Sequence, residues 1–431
     1  MTPEVKKRIE QIRQGIVPEG YKKTKTDIVP ADWKESPIGK YIREYTEKTT
    51  IPNQYPVLTS ARTGLMLQTD YYSNRQVTTE DNVGYNVLPY GYITFRSRSD
   101  DGRFRFNKNR IIERGVISYF YPVFSFSEEV CHEYMLYLLN FSIYRRMYPY
   151  AEGTAQQVLS LKKLGQLKYS LPLVAEQKKI AKILATQDKA IELQARKIEE
   201  LKRFKQGCLE RMFPRKGQKV PEKRFPGFTD DWEQRKLSDI GKARSGVGFP
   251  DAEQGGVTGI PFFKVSDMNL DGNESEMTVA NNYVTAEQIA VHRWSPITEL
   301  PAIFFAKVGA AVMLNRKRLC RFPFLLDNNT MAYSLSSTKW DADFAKALFG
   351  TVDLTSLVQV GALPSYNAGD VESMEIYLPS LLEQEQIGGF FKQLDNLITL
   401  HQRKLEEMKN QKKALMQLLL TGIVKTKGEV R

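Results

Sequence analysis

Arginines alternate with aromatic residues around a predicted turn at Asp101-Gly102, a pattern that could contact nucleic acid. An Asp-Gly pair between apolar residues favours a two-residue β-hairpin turn. The cross-strand pairs would be Asp100 with Arg103, Arg98 with Arg105, and Arg96 with Asn107, with Phe95, Phe104 and Phe106 on the opposite face. Two arginines facing each other repel, and a phosphate or base edge between them would relieve the repulsion. The alternative is a solvated hairpin in which one arginine turns toward Asp100 or Asp101.

A second set of cations and amides lies between residues 264 and 329. The candidate DNA contacts in this region are Lys264, Arg316, Lys317, Arg318, Arg321, Asn328 and Asn329. Asparagine amides can pair with the edge of adenine, and cations can contact phosphates. The alternative is an ordinary surface loop. The nearby Gly-rich stretches lack the spacing of a phosphate-binding loop.

Residues that could carry catalysis are sparse and scattered. The three histidines (His132, His292, His401) and three cysteines (Cys131, Cys208, Cys320) form no metal-ligand spacing and no CxxC pair. The sequence has no [ND]PP[YF] motif for a flipped adenine, and Pro250-Asp251 has no convincing downstream ExK partner for a nuclease metal site. A stand-alone methyltransferase or nuclease therefore remains only the alternative interpretation.

The positive charge is concentrated in the middle of the chain. The formal net charge is +12; residues 161–224 carry 18 Lys and Arg against 7 Asp and Glu, or +11, whereas residues 225–377 carry 13 against 19, or −6. A solvated helix face would explain such a run, and so would a polyanion that passes nearby. A coiled-coil adaptor without DNA binding is the alternative that the acidic second half supports.

The sequence contains an internal repeat with an offset of 207 residues. Residues 171–213 and 378–420 are identical at 14 of 43 positions without a gap. The shared residues include Leu-Pro at the start, Glu-Gln five residues later, and an Arg-Lys-x-Glu-Glu run. A repeat of this length indicates a duplicated architecture.

Both repeats have the heptad periodicity of long amphipathic helices. The predicted seam positions are Ile180, Leu184, Ile191, Ile198, Leu201, Ile387, Phe391, Leu394, Ile398, Leu405, Met408 and Leu415. Each apolar stripe would be exposed alone, so we expect the two helices to pack as an antiparallel coiled coil. Gln187, Gln194 and His401 would be polar seam positions that help to select the register.

The repeat divides the chain into five segments. These are 1–29, an N-terminal helix and lead-in; 30–170, a first recognition domain; 171–223, a first spacer helix and linker; 224–377, a second recognition domain; and 378–431, a second spacer helix and tail. Short aromatic and β-branched runs predict that both domains are mixed α/β, so the fold class is α+β with a pseudo-two-fold duplication. Thr2, Pro3 and Gly15 are placed to begin and end the first helix.

With these motifs in view, the chain resembles the specificity subunits of type I restriction–modification systems. The resemblance covers essentially the whole length. The motifs that carry it are the repeated LPxxxEQxxI at 171–180 and 378–387, Asp32-Trp33 and Asp231-Trp232, Gly153-Thr154-Ala155 and Gly361-Ala362-Leu363, and GIPFFKVSD at 259–267.

The resemblance implies a non-catalytic subunit with two target-recognition domains that each read half of a bipartite double-stranded DNA site. It implies two modification (methyltransferase) subunits that bind the helices and methylate adenine, together with restriction subunits that translocate DNA. S-adenosylmethionine, ATP and magnesium would bind only those partners, so we expect no cofactor on this chain. We expect a prokaryotic cytoplasmic location and no membrane partner, since no apolar run is long enough to cross a bilayer. A coil of about 32 residues would be about 48 Å long, or about 14 base pairs of B-DNA.

Overall fold

The computed structural model describes residues 2–72, 78, 81–141, 157–215, 217–335, 338–358 and 363–426. They form two compact units, Met1–Leu193 with Glu406–Arg431, and Gln194–Leu405. Each unit combines one mixed α/β domain with part of each long helix, so these units cut across the helix segments that the sequence defined. We call them unit 1 and unit 2.

The described residues form nine α-helices. They are α1 (Pro3–Arg13), α2 (Gln68–Tyr71), α3 (His132–Phe141), α4 (Leu161–Gln166), α5 (Val174–Met212), α6 (Ala286–His292), α7 (Ala342–Thr351), α8 (Ala368–Glu372) and α9 (Leu381–Leu420). Thr2 caps α1, with its hydroxyl accepting a hydrogen bond from the Val5 amide, and Gly15 follows the helix with a φ of 74°. The predicted start and end of α1 therefore agree with the structure.

The domain of unit 1 contains 14 described strands. They are β1 (Tyr21–Lys23), β2 (Ile28–Pro30), β3 (Lys34–Pro37), β4 (Ile42–Tyr45), β5 (Leu58–Ala61), β6 (Gly64–Leu67), β7 (Asn86–Pro89), β8 (Ile93–Phe95), β9 (Arg98–Ser99), β10 (Phe106–Lys108), β11 (Arg114–Ile117), β12 (Val123–Phe126), β13 (Gln157–Val158) and β14 (Lys168–Leu171). The largest sheet is antiparallel in the order β10-β8-β12-β4, and α3 packs on it around a core that includes Phe95, Phe106 and Phe124.

The domain of unit 2 contains nine described strands. They are β15 (Glu233–Lys236), β16 (Gly241–Ser245), β17 (Ile260–Phe263), β18 (Tyr283–Val284), β19 (Ala302–Ala306), β20 (Lys317–Cys320), β21 (Leu325–Leu326), β22 (Thr330–Leu335) and β23 (Glu375–Leu378). An antiparallel sheet has the order β16-β22-β19-β20, and a mixed sheet has the order β18-β17-β21. The edge strand β20 lies beside α7.

The same frame holds both domains. In each domain, the strand after a buried tryptophan pairs with the strand that ends at the leucine of Leu-Pro. β3 follows Trp33 and pairs with β14, whereas β15 follows Trp232 and pairs with β23. At the start of α5, Gln177 accepts a hydrogen bond from the Cys131 amide and donates one to the Pro172 carbonyl (2.8 and 2.9 Å). Gln384 makes the equivalent bonds at the start of α9, from the Asp341 amide and to the Pro379 carbonyl (3.0 and 3.1 Å).

The long helices run antiparallel within each unit. In unit 1, Asp188 pairs with Lys412, and Glu176 accepts a hydrogen bond from the Thr426 amide. A later residue of α5 therefore contacts an earlier residue of the C-terminal segment, as in an antiparallel pair. In unit 2, Gln194 donates to the ring and the carbonyl of His401 (both 2.8 Å), and Lys205 pairs with Asp395. The predicted α+β fold with two antiparallel helices is therefore confirmed.

Several predicted seam side chains lie in the cores in which each long helix packs against a domain: Ile180 and Leu184 belong to the core of unit 1, and Ile387, Phe391 and Leu394 belong to the core of unit 2. Those that are buried are Ile180, Leu184, Ile198, Leu201, Ile387, Phe391, Leu394 and Ile398. Those that are half-buried are Ile191, Leu405, Met408 and Leu415. The heptad pattern thus lies on the buried side of both helices. Searching the described residues finds no helix long and apolar enough to span a membrane.

Candidate nucleic-acid interface

The arginine-rich segment of unit 1 does not form the predicted two-residue hairpin. β8 and β10 do pair antiparallel, but Phe106 lies opposite Phe95 and Asn107 opposite Thr94, so residues 96–105 form the connection. Within that connection β9 pairs with β13 instead of continuing the hairpin. The prediction that Arg98 faces Arg105 was therefore wrong.

The side chain of Asp101 explains this difference. Its Oδ1 accepts hydrogen bonds from the Arg103 amide (3.1 Å), the Ser99 hydroxyl (2.9 Å) and the Arg62 guanidinium (2.6 Å). An Asp side chain that bonds to the backbone two residues later closes its own turn and competes with a ladder. Asp-Gly therefore makes a local turn here, with Gly102 at a φ of 70°, while the apolar residues on either side set the strand register.

The four arginines of this segment are exposed but lie in different surroundings. Arg96, Arg98 and Arg103 lie on the surface of the domain, and the Arg98 guanidinium carbon is 4.6 Å from the centroid of the Phe120 ring. Arg103 lies 4.0 Å from a carboxylate oxygen of Asp101. Arg105 is also exposed, but partial desolvation of its guanidinium lowers its pKa, and the charge of Asp188 on α5 opposes this shift.

Exposed aromatic rings beside Arg98 were not identified from the sequence. Tyr119 and Phe120 are 53% and 43% exposed, and their ring centroids are 4.0 Å apart. The Ser97 hydroxyl donates to the Phe120 carbonyl (2.6 Å), which ties the loop after β11 to the arginine segment. We call Arg98, Tyr119 and Phe120 the Arg98 surface. Aromatic and guanidinium planes together are suited to stacking on bases or packing against sugar and phosphate.

In unit 2 the structure brings Lys264 and the Asn328-Asn329 turn together. β17 and β21 are parallel neighbours, with Phe263 opposite Leu326, so the residues that follow each strand emerge at the same edge. The Asp327 amide donates to the Phe263 carbonyl (3.0 Å), and Asn328 and Asn329 are exposed. Burial raises the pKa of Asp327, and its carboxylate accepts hydrogen bonds from Asn329. We call Lys264, Asn328 and Asn329 the Lys264 edge; its two amides are exposed, whereas Lys264 is half-buried and donates to the Gln254 side chain (3.0 Å).

The remaining predicted cations of unit 2 lie elsewhere, on and around β20. Lys317 donates to the Asn315 side chain (2.7 Å) and to the Val352 carbonyl, and burial lowers its pKa to about 8. Arg318 donates from Nε to the Asn273 carbonyl (2.6 Å). Arg316 donates to the Asn269 side chain (2.7 Å). These three half-buried side chains therefore bond to acceptors of their own domain.

Arg321 is an exposed member of the same predicted group, and carboxylates surround it. It forms ion pairs with Glu276 (3.0 Å) and Asp343. The structure thus separates the seven predicted residues of this domain into the Lys264 edge and the cations around β20. Sequence proximity placed Arg321 near Asn328, but they belong to different surfaces.

Two features bear on catalysis and on the predicted motifs. In the part of the chain that the structure describes, no group of three or more His, Cys, Asp or Glu side chains is arranged to hold a metal ion. The Gly153-Thr154-Ala155 motif, and Gly361-Ala362 of its counterpart, lie outside the described residues.

Comparison with known proteins agrees with this architecture. Two segments, residues 22–203 and 229–410, match the family described as the type I restriction modification DNA specificity domain. The chain is 23% identical over 452 residues to the type I restriction enzyme MjaVIII specificity subunit of Methanocaldococcus jannaschii, covering 97% of this chain and 99% of that protein. It is 24% identical to the putative MjaX specificity subunit of the same organism, covering 95% of this chain and 97% of that protein.

Solved structures share the fold at low sequence identity. A chain from the structure described as the structural basis underlying complex assembly and conformational transition of the type I R-M system aligns with a TM-score of 0.57 at 14% identity, over 92% of this chain and 99% of that one. The type I restriction–modification S subunit from M. genitalium aligns with a TM-score of 0.53 at 14% identity, over 92% and 97%. Because the family matches twice and covers most of the sequence, this chain belongs to the specificity subunits of type I restriction–modification systems.

Proposed function

We propose that this chain reads a bipartite DNA target, with one half-site for each recognition domain. The observation that carries the proposal is a repeated frame that holds two unlike surfaces. Gln177 and Gln384 make equivalent bonds at the domain–helix junctions, whereas the Arg98 surface and the Lys264 edge differ in every side chain. Two domains that share the same junction with the helices but differ in their contact residues are suited to reading two different DNA sequences.

We further propose that the two long helices set the spacer between the half-sites. α5 contains 39 residues, so it is about 58 Å long at 1.5 Å per residue. The basic residues 161–224 lie largely on α5 and the linker after it, where spacer phosphates could pass. The helix faces opposite the seam would bind the two methyltransferase subunits, and restriction subunits would join through them.

In this proposal the chain positions DNA and contributes no catalytic group. S-adenosylmethionine, ATP and magnesium would bind the partner subunits, and the assembly would work in a prokaryotic cytoplasm. Turnover of S-adenosylmethionine, or DNA cleavage, by the purified chain alone would contradict this division of labour. DNA binding that does not weaken with salt would favour a coiled-coil adaptor instead.

The decisive experiment is sequencing of methylated sites in cells that carry the complete system. We expect one bipartite motif with two half-sites and a fixed spacer. Insertion of one heptad after Ile191 and another after Ile398 should lengthen that spacer by about three base pairs, because seven residues add about 10 Å. The half-sites should stay the same. The same insertions placed in the linker after Arg215 provide the control, and an unchanged spacer in the helix variant would reject the proposal.

A further inference from the structure

A cavity of about 280 Å³ in unit 2 is lined by a high density of positive charge. It lies among the edge strand β20, the end of α7, the Glu274-Ser275 loop and the α5 residue Lys205. Its charged lining consists of Lys205, Arg316, Lys317, Arg318, Lys346 and Glu274. Five cations and one carboxylate around one cavity leave an excess of positive charge that water or an anion must balance.

The lining cations fall into two kinds. Lys205 and Lys346 are neutralised by Asp395, and Lys346 also by Glu276. Arg316, Lys317 and Arg318 have no ion pair within 4 Å among the described residues and bond to neutral amides and carbonyls instead. Burial lowers the pKa of Arg318, and the neighbouring charge of Arg316 lowers it further, while Glu274 acts in the opposite direction.

One of these cations also has an unsatisfied donor. Arg316 Nε is buried, and it has no hydrogen-bond partner among the described residues. A buried N–H without an acceptor is costly, and a guanidinium presents its N–H groups as a planar fork that matches a phosphate or carboxylate. A tetrahedral oxyanion fits both the volume and the chemistry, because it would accept hydrogen bonds and reduce the repulsion between the cations.

We propose that this cavity is an oxyanion site that binds a phosphate group, with Arg316 and Arg318 as its principal donors. The phosphate belongs either to a DNA backbone or to a free small molecule, and the site is a property of the second domain in both cases. Its position beside Lys205 means that an occupied site would tie the recognition domain of unit 2 to α5 of the same unit.

Gly350 offers a way to test the site without removing any cation. It lines the cavity near the end of α7, and a Cβ at this position would meet no atom within 4 Å. Gly350→Glu would supply a tethered carboxylate that competes with an external anion. Gly350→Gln has the same shape without the charge and is the matched control.

The experiment follows hydrogen exchange of β20 in the full chain, purified with its methyltransferase subunits, during titration with inorganic phosphate against chloride at equal ionic strength. We expect saturable protection of Lys317–Cys320 in the wild type and in Gly350→Gln. The apparent Kd should rise at least tenfold in Gly350→Glu and in Arg316→Gln. It should stay unchanged in Arg235→Gln, which removes an exposed cation from β15.

The outcomes separate the possibilities. Protection that chloride reproduces, or an equal loss in Gly350→Gln and Gly350→Glu, would overturn the proposal. If the target duplex abolishes the protection that inorganic phosphate gives, the DNA backbone supplies the phosphate group. If the duplex and inorganic phosphate protect β20 additively, a free phosphate compound occupies the site. DNA binding by the wild type without any phosphate response would reject the oxyanion site alone and leave the proposed function standing.

Discussion

The aspartates at equivalent positions of the two long helices show what the duplication kept and what it changed. Asp188 pairs with Lys412 and Asp395 pairs with Lys205, so both ion pairs of the repeat are present. The domains complete them differently. Tyr137 donates to Asp188 (2.7 Å), whereas Lys346 (3.0 Å) and Ser275 (3.2 Å) contact Asp395.

This difference changes the electrostatics of the two junctions. The side chain of Asp188 is 42% exposed, and that of Asp395 is 15% exposed. Burial would raise the pKa of Asp395, but the charges of Lys346 and Lys205 outweigh it and hold the pKa below its usual value. The helix pairing is thus common to both copies, while each domain uses its own residues to join the helices.

The largest effect should come from removing the more buried carboxylate. Asp395→Asn leaves Lys205 without its carboxylate and Lys346 with Glu276 as its remaining ion pair in a partly desolvated site, and we expect it to lower the free energy of unfolding of unit 2 by about 3 kcal/mol. Asp188→Asn, the matched change at the exposed position, should cost about 0.5–1 kcal/mol. Hydrogen exchange of α9 and α5 near each site measures both.

The same pair of variants gives a pH test with a defined sign. A depressed carboxyl pKa contributes stability above the unfolded value near 3.8 and loses it as the pH falls through the lower folded value. The difference between wild type and Asp395→Asn should therefore be constant near neutral pH and shrink below about pH 4. Equal costs for the two substitutions at pH 7 would show that the junctions do not differ as described.

The buried glutamines should behave alike, because they belong to the shared frame. Gln177 and Gln384 are each 2% exposed, and each bonds to a backbone amide of the adjoining domain. Replacing either with alanine leaves buried backbone groups without partners, at about 2 kcal/mol each. With hydrogen exchange as the probe of thermal unfolding, the two substitutions should lower the free energy of unfolding by amounts within about 1 kcal/mol of each other. A loss for only one of them would argue against equivalent junctions between domain and helix.

A smaller effect is expected at the surfaces that differ. Arg98→Ala and Phe120→Ala should each weaken binding to DNA about tenfold through the first half-site, since stacking and base contacts contribute about 1–3 kcal/mol. Arg105→Ala, near Asp188, serves as the comparison and should change the affinity less. Fluorescence anisotropy with duplexes altered in one half-site at a time makes the measurement, and unchanged affinity for Arg98→Ala would remove this surface from the interface.

The smallest effect concerns Lys317, whose pKa burial lowers to about 8 from an ordinary value of 10.5. Between these values the unfolded chain binds more protons at this residue, so its contribution to the free energy of unfolding rises with pH. Lys317→Met should lack this rise, which we expect to be about 1 kcal/mol or less between pH 8 and 10. Urea unfolding at both pH values compares the variant with the wild type.

Sequence reasoning succeeded where the pattern repeats and failed where partners are distant. The heptads placed the seam residues on the buried side of α5 and α9, and Leu-Pro marked the start of both helices. The hairpin failed because Asp101 forms a local turn and β9 finds β13 instead. No spacing rule could show that Tyr119 and Phe120 are exposed, because the aromatic run around them also contains the buried Phe124.

The sequence by itself determined the duplication, the two long helices and the apolar face of each. These depend on periodicity along one helix, which is a local property. Only the tertiary structure decided which cations remain exposed, as Arg98 does, and which turn inward, as Lys317 and Arg318 do. A cation's surroundings depend on whichever carbonyls and carboxylates the rest of the fold brings near it, and residues distant in sequence supply those groups.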